Sequence, residues 1–98
     1  NRILNAASVT SENFIERFCN KLNIDEKHIE NIKKIEFDSR STYIRSEVRP
    51  DSIAASSILL YCKNNNLDIN KNKISEISRI SEVTINKCYK KIENIMNI

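Results

Sequence analysis

The chain of 98 residues contains no glycine, no tryptophan and a single proline, Pro50. Loops that wrap phosphate groups, such as G-x-G-x-x-G and the Walker A motif, need glycine at fixed positions, so enzymes that depend on these loops are excluded. Tight two-residue hairpins are disfavoured for the same reason. The longest apolar run, Ile58 to Cys62, is far shorter than the roughly 18 residues of a membrane span. The length leaves room for one domain with one hydrophobic core.

Side chains that could carry catalysis or hold a metal are few and scattered. The three cysteines, Cys19, Cys62 and Cys88, are widely spaced, and no C-x-x-C pair is present. This pattern favours buried, reduced thiols in an intracellular protein over disulfides or a zinc site. The only histidine, His28, has no partner at a metal or triad spacing, and we expect it at the surface in the first turn of a helix. We therefore predict no catalytic residue, no metal and no cofactor.

Hydrophobic spacing predicts an all-α fold. Thr10 and Asp25 are expected caps of the first two helices, with Val9 and Phe14 at staple positions in the first. The apolar stripe of the second helix is expected to comprise Ile29, Ile32, Ile35 and Phe37. The five helices are predicted near residues 10–22, 25–38, 50–64, 72–79 and 81–96.

The third predicted helix is expected to be the hub of the core. Its residues from Ile53 to Cys62 are apolar or small on every side, which is typical of a helix surrounded by others. Pro50 stands at its first turn, where a missing N–H is tolerated. Before it, the helical spacing stops and the segment 39–42 is predicted to be a surface loop.

The last two predicted helices form a candidate helix-turn-helix, with a break at Ile80 and Ser81 and with Ser81 as the cap of the final helix. From Lys71 to Lys91 six cations face two glutamates, which gives a local charge of +4 within an overall charge of +3. Two readings stay open from charge alone. The cations form a solvated surface, or they hold the phosphates of a nucleic acid.

Three segments, in order along the chain, resemble the second (C-terminal) cyclin-like repeat of the transcription initiation factor TFIIB family. Residues 13–22 resemble its first-helix motif, F-x-x-R-F-C-x-x-L, and residues 50–58 resemble the P-x-S-V/I-A-A-A-A-I/L opening of its central helix. Residues 77–90 are similar to I-x-x-V-S/T-E-V-T-I-R-x-R/S-Y-K. Together these motifs and their order cover nearly the whole chain.

The resemblance implies a five-helix cyclin-like fold over residues 1–98, a single domain with its helix-turn-helix at about 72–96. It implies a non-enzymatic factor that binds double-stranded promoter DNA near the TATA box and helps to bridge TATA-binding protein and RNA polymerase. The polymerase contacts are expected mainly from parts of the protein outside this chain, which is expected to be a fragment. We expect a monomer with no membrane contact, acting in the nucleus or, for a virus, in the viral factory of the host cytoplasm.

The resemblance also assigns a DNA-contacting set to the last helix pair. Val83 matches a position that makes an apolar contact with a base, and Asn86 stands where the family mostly has arginine. The approach to the third helix, G-R-S-P in the family, reads Glu47-Val48-Arg49-Pro50 here. These departures, with many residues of A/T-rich codons, fit a diverged homologue from a large DNA virus. The predicted DNA-binding residues are Val83, Thr84, Asn86, Lys87, Lys90, Lys73 and Arg79.

Two alternatives remain at the level of sequence. Cyclin folds also bind proteins through grooves between helices, so a protein-interaction module without DNA contact is the competing function. Within the DNA-binding interpretation, the TFIIB-related subunit of the polymerase III factor is a second candidate. Only the rest of the chain would distinguish it from TFIIB itself.

Overall fold

The computed structural model describes residues 11–38 and 48–96, and all regular elements in these two stretches are α-helices. This confirms the all-α prediction, and no predicted helix end is displaced by more than one residue. The expected cap Thr10, its neighbour Val9 and the loop at 39–42 lie outside the described residues. Within the described ranges, no helix is both long and apolar enough to cross a membrane. The helices are α1 (Ser11–Leu22), α2 (Glu26–Asp38), α3 (Pro50–Asn64), α4 (Lys71–Ser78) and α5 (Glu82–Met96).

Helix α3 occupies the centre of the molecule. Pro50 lies in its first turn, where the absent N–H would have had no helical partner. Every residue from Ser52 to Cys62 is buried, so no side of this stretch faces water. The other four helices each pack against α3. The prediction that the third helix is the hub of the core is therefore confirmed.

Small polar residues fix the distance between α3 and α5. Ser56 is fully buried, and its Oγ lies 2.7 Å from the carbonyl oxygen of Ser52 and 3.3 Å from that of Ile85. The hydroxyl can donate to either oxygen, and a buried hydroxyl without an acceptor would cost about 1–3 kcal/mol. The bond to Ile85 ties the start of α5 to the central helix.

The helical hairpin of α1 and α2 also packs against α3. An ion pair between Glu16 and Lys33 links the two helices. The chain passes between them through Asn23, whose φ is 59°. Asparagine tolerates this left-handed conformation better than most residues, so it serves where glycine is common. The buried stripe of α1 comprises Ile15, Phe18, Cys19 and Leu22, at the spacing that the sequence predicts.

The buried face of α2 differs from the prediction at its C-terminal end. Ile29 and Ile32 are buried, but Phe37 is 64% exposed, and Glu36 is buried instead. Residues 29, 32 and 36 share one face at helical spacing, and the next residue points about 100° away from it. The prediction that Phe37 continues the apolar stripe is wrong.

His28 also departs from expectation. It lies in the first turn of α2, as predicted, but it is half-buried instead of lying at the surface. Its Nδ1 is hydrogen-bonded to the hydroxyl of Tyr61 on α3, and Asn31 Nδ2 donates to the same oxygen at 3.4 Å. This polar cluster fastens α2 to the central helix.

Candidate nucleic-acid interface

The turn between α4 and α5 is built around Arg79 in the left-handed region. Its φ is 63° and its ψ is 28°, and its N–H donates to the carbonyl oxygen of Ser75 at 2.9 Å. Turns of helix-turn-helix units often hold a glycine, because a side chain in this conformation costs about 1–2 kcal/mol. In this glycine-free chain an exposed arginine takes such a place.

Serine side chains hold the turn closed. Ser75 Oγ donates to the carbonyl oxygen of Ile80 at 2.6 Å, and Ile80 N–H donates to Ser78 Oγ at 3.3 Å. Ser81 Oγ accepts the N–H of Thr84 at 3.2 Å, which confirms Ser81 as the cap of α5. These bonds satisfy backbone groups that the break in the helix leaves open, so the two helices keep one relative orientation.

A further hydrogen bond joins the beginnings of the two helices. Asn72 Nδ2 donates to Glu82 Oε2 at 3.0 Å, so the first turn of α4 touches the first turn of α5. Asn70 caps α4, with its Oδ1 accepting the N–H of Lys73 at 2.9 Å. The start of α5 is thereby positioned by the turn, by the cap and by this side-chain bond.

Helix α5 presents two distinct faces. Ile85, Cys88 and Ile92 are buried against the rest of the core. Val83 is 65% exposed, although burial of a valine side chain normally stabilises a fold by about 1.5–3 kcal/mol. Thr84 beside it is exposed as well. The first turn of α5 therefore offers an apolar and a hydroxyl-bearing side chain to whatever approaches it.

The predicted cations lie around this first turn. Lys87 and Lys90 are exposed about one and two turns after Val83, and Asn86, directly before Lys87, is half-buried. On α4 and its turn, Lys73 and Arg79 are exposed. Lys73 Nζ lies 4.0 Å from Glu76 Oε1, and an exposed pair at that distance contributes at most about 1 kcal/mol. All seven predicted site residues thus lie on the α4–α5 pair, none of them buried; their contact with DNA stays a prediction.

A groove beside this face is lined in part by two residues outside the predicted site set. The α3–α5 groove, about 270 Å³ in volume, lies between the start of α3 and the outer side of α5. Arg49 and Lys91 line it and were not among the predicted site residues. No local pattern marks Arg49, because it reaches α5 only through the packing of α3. The lining residues are Val48, Arg49, Ser52, Thr84, Lys87, Cys88 and Lys91.

A larger groove between α1 and α2 has the opposite charge. Its volume is about 420 Å³, and Glu16, Glu26 and Glu30 line it with a single cation, Lys33. Carboxylates at this density repel phosphate, so size alone does not make it the nucleic-acid site. The basic surface of the described chain lies at α4, α5 and the start of α3.

The thiols offer no reactive centre. The three cysteines are buried and free, which confirms the prediction of buried, reduced thiols. Burial raises the pKa of Cys19 to about 12 and that of Cys62 to about 11, and it raises the pKa of Cys88 as well. At neutral pH these groups are protonated and poor nucleophiles. Within the described ranges, no group of three histidine, cysteine or acidic side chains is placed to hold a metal ion.

Comparison of the sequence with known proteins identifies the family of this chain. The family model for the transcription factor TFIIB repeat matches residues 4–95. A transcription initiation factor IIB-like protein of Acanthamoeba polyphaga mimivirus is 39% identical over 85 residues, which are 87% of this chain and 18% of that protein. Transcription initiation factor IIB 2 of Thermoplasma acidophilum is 34% identical over 95 residues, 97% of this chain and 31% of the relative.

A third relative, transcription initiation factor IIB of Dictyostelium discoideum, is 31% identical over 91 residues, 90% of this chain and 27% of its own length. The chain thus spans less than a third of each of these relatives. The matched region takes in all five helices, with the α4–α5 pair as its last structural unit. The chain belongs to the TFIIB repeat family, with an all-α cyclin-like fold and a viral protein among its relatives.

Proposed function

We propose that this chain is the second cyclin-like repeat of a TFIIB-like initiation factor and that it binds promoter DNA near the TATA box through α4 and α5. The observation that carries the proposal is the first turn of α5, where Val83 is 65% exposed and is followed one turn later by the exposed Lys87. The start of this helix is held in place by its cap and its turn, and it exposes apolar, hydroxyl and cationic side chains. This composition is typical of a recognition helix. The repeat would comprise residues 1–98 as a single domain, with the helix-turn-helix at about 72–96.

In the proposed complex, α5 lies in the major groove and its N-terminal residues meet the base edges. Val83 suits the methyl group of thymine, and Asn86 can pair a donor and an acceptor with adenine. Lys87 and Lys90 contact backbone phosphates, with Lys73 and Arg79 beside them. The phosphate contacts set affinity and orientation, and the first turn sets the base preference.

The whole factor would bridge promoter DNA, TATA-binding protein and RNA polymerase, as the TFIIB resemblance implies, and its relatives are named transcription initiation factors. Polymerase contacts would come mainly from regions outside this chain. The repeat would act as a monomer without catalysis, in the nucleus or in a viral factory. The protonated, buried thiols support a binding role over a catalytic one.

The test is the salt dependence of binding to a duplex that carries a TATA box and its upstream flank. Two to four neutralised phosphates give a slope of log affinity against log salt of about −2 to −4. Lys87→Ala and Lys90→Ala should each reduce the magnitude of that slope by about one, whatever the DNA sequence. The readout is fluorescence anisotropy of labelled DNA at several salt concentrations.

Lys27→Ala is the matched control, since Lys27 is an exposed lysine on α2, away from the α4–α5 pair. Its slope should equal that of the wild type. A wild-type slope near zero would refute the DNA-binding proposal and favour the protein-interaction module instead.

A further inference from the structure

We infer that Arg49, with Lys87 and Lys91, binds a backbone phosphate of the DNA in the α3–α5 groove, so that the start of α3 is a second DNA-contacting element. This inference rests on the proposed function and extends it. Arg49 immediately precedes α3, and the two lysines come from α5. In the proposed complex, two elements that are distant in sequence therefore contact one phosphate.

The chemistry of the groove fits a phosphate. Three of its seven lining residues are cations, and none of the seven carries a carboxylate. Ser52 and Thr84 add hydroxyl groups that can donate hydrogen bonds, while Val48 and Cys88 form an apolar floor. A guanidinium and ammonium groups around one small concavity are the donors with which proteins hold phosphate oxygens.

Lys91 lines this groove together with Cys88. Its charge acts on the thiol of Cys88 and lowers the pKa of that thiol, against the larger opposing effect of burial. Lys91 therefore brings positive charge to the groove itself.

Arg49 occupies a position that normally serves a different purpose. It is the N-cap residue of α3, yet its side chain makes no cap hydrogen bond to the described residues. Serine, threonine, aspartate and asparagine are preferred at an N-cap, and the TFIIB family motif that this segment resembles has serine there. An arginine at this point forgoes a cap, while it adds a charge to the groove.

The nearest anion in the described chain is a weak competitor for that charge. Arg49 Nε lies 3.7 Å from Asp51 Oδ1, while the arginine side chain is 84% exposed. The Asp51 side chain is only 20% exposed, but the long distance and the exposed guanidinium keep this pair weak, at about 1 kcal/mol. The guanidinium thus remains available for a partner that brings a full phosphate charge.

Continuity with the α5 face favours DNA over an acidic peptide. Thr84 and Lys87 belong both to the groove lining and to the first turns of α5 that would enter the major groove. The sugar-phosphate strand at the edge of a major groove runs beside the helix that occupies it. Because Thr84 and Lys87 are shared, a DNA backbone running beside α5 would meet the α3–α5 groove at these two residues.

The experiment compares Arg49→Ser with the wild-type 98-residue chain on the same duplex. The slope of log affinity against log salt should shrink by about one, and the affinity at 0.05 M salt should fall about 10-fold. The melting temperature should rise, because serine caps α3 better than arginine. Arg49→Lys keeps the charge and should keep the slope, and Lys27→Ala should leave both quantities unchanged.

Single methylphosphonate substitutions in the duplex then locate the contact. At one backbone position the neutral linkage should weaken binding by the wild type more than binding by Arg49→Ser, which retains only the two lysines at that phosphate. If the wild type shows a salt slope and Arg49→Ser shows the same slope, the inference is wrong while the proposed function stands. If the wild type shows no slope at all, both fail.

Discussion

At the scale of single residues, Asn86 is the residue that we propose sets the base preference of this surface. It lies on α5 three residues after the exposed Val83 and is half-buried. Arginine, which the TFIIB motif has at this position, donates two hydrogen bonds to guanine. The asparagine amide matches the N7 and N6 groups of adenine instead. An upstream element read by this chain is therefore expected to tolerate A/T pairs.

Asn86→Arg should shift the preference at one base position towards guanine by roughly 5- to 150-fold, the equivalent of about 1–3 kcal/mol for a bidentate contact. The measurement is a binding selection on DNA randomised upstream of a TATA box, with the full-length factor and TATA-binding protein present. Lys90→Ala serves as a comparison, since the loss of a phosphate contact weakens binding without changing the selected bases. Selection of the same bases by wild type and Asn86→Arg would show that this residue reads no sequence.

The exposure of a residue was predictable where it depends on helical spacing. The exposure of Val83 beside the buried Ile85 follows from helical periodicity alone. Arg49 was missed because its neighbours on α5 are far away in sequence, and only the packing of α3 brings them together. The exposure of Phe37 was missed because the next buried residue of α2 is Glu36, and hydrophobic periodicity does not reveal a buried glutamate.

At the scale of elements, the turn between α4 and α5 stores strain at Arg79. An L-residue in the left-handed region costs about 1–2 kcal/mol, and glycine avoids this cost but loses more chain entropy on folding. The net stabilisation expected for Arg79→Gly is about 0.5–1 kcal/mol. For a domain of this size that corresponds to a rise in melting temperature of about 2–8 °C, measured by circular dichroism.

Arg79→Ala is the control, because it removes the same charge and keeps the strained backbone. It should leave the melting temperature near that of the wild type or below it. An equal rise for both variants would mean that loss of charge, and not relief of the backbone, stabilises the turn.

Helix boundaries were the most predictable part of the fold. Ser81, the predicted cap of α5, makes the expected bond, whereas the cap of α4, Asn70, is seen only in the structure. The cluster of His28, Asn31 and Tyr61 was not predictable, since its partners belong to different helices. Pairings across helices depend on interaxial distance and orientation, which a single sequence pattern does not specify.

At the scale of the whole molecule, stability depends on α3, against which every other described helix packs. Ile58→Ala should reduce the free energy of unfolding by about 2–5 kcal/mol, because Ile58 is fully buried and its truncation leaves a cavity. Small domains have only about 5–15 kcal/mol in total, so this variant should be close to unfolding. Urea denaturation followed by circular dichroism measures the difference.

Val83→Ala is the matched control for that experiment. It also truncates an apolar side chain, but one that is 65% exposed, and it should change the free energy of unfolding by no more than about 0.5 kcal/mol. A cost below 1 kcal/mol for Ile58→Ala, or equal costs for the two variants, would contradict the central place of α3 in the core.

Positive and negative side chains are unevenly distributed over the described helices. The segment from Lys71 to Lys91 carries a net charge of +4, whereas three glutamates line the groove between α1 and α2. A polyanion is attracted to the first surface and repelled by the second. The molecule is therefore expected to approach DNA with α4, α5 and the start of α3.

The most direct test is to map the DNA-contacting surface by nuclear magnetic resonance. At low salt, titration of the 98-residue chain with the TATA-flank duplex should shift amide signals at the start of α5, from Val83 to Lys90, and at Arg49. Signals of α1 and α2 around Glu26 and Glu30 should stay in place. Shifts concentrated on α1 and α2, or no shifts at millimolar DNA, would contradict the account.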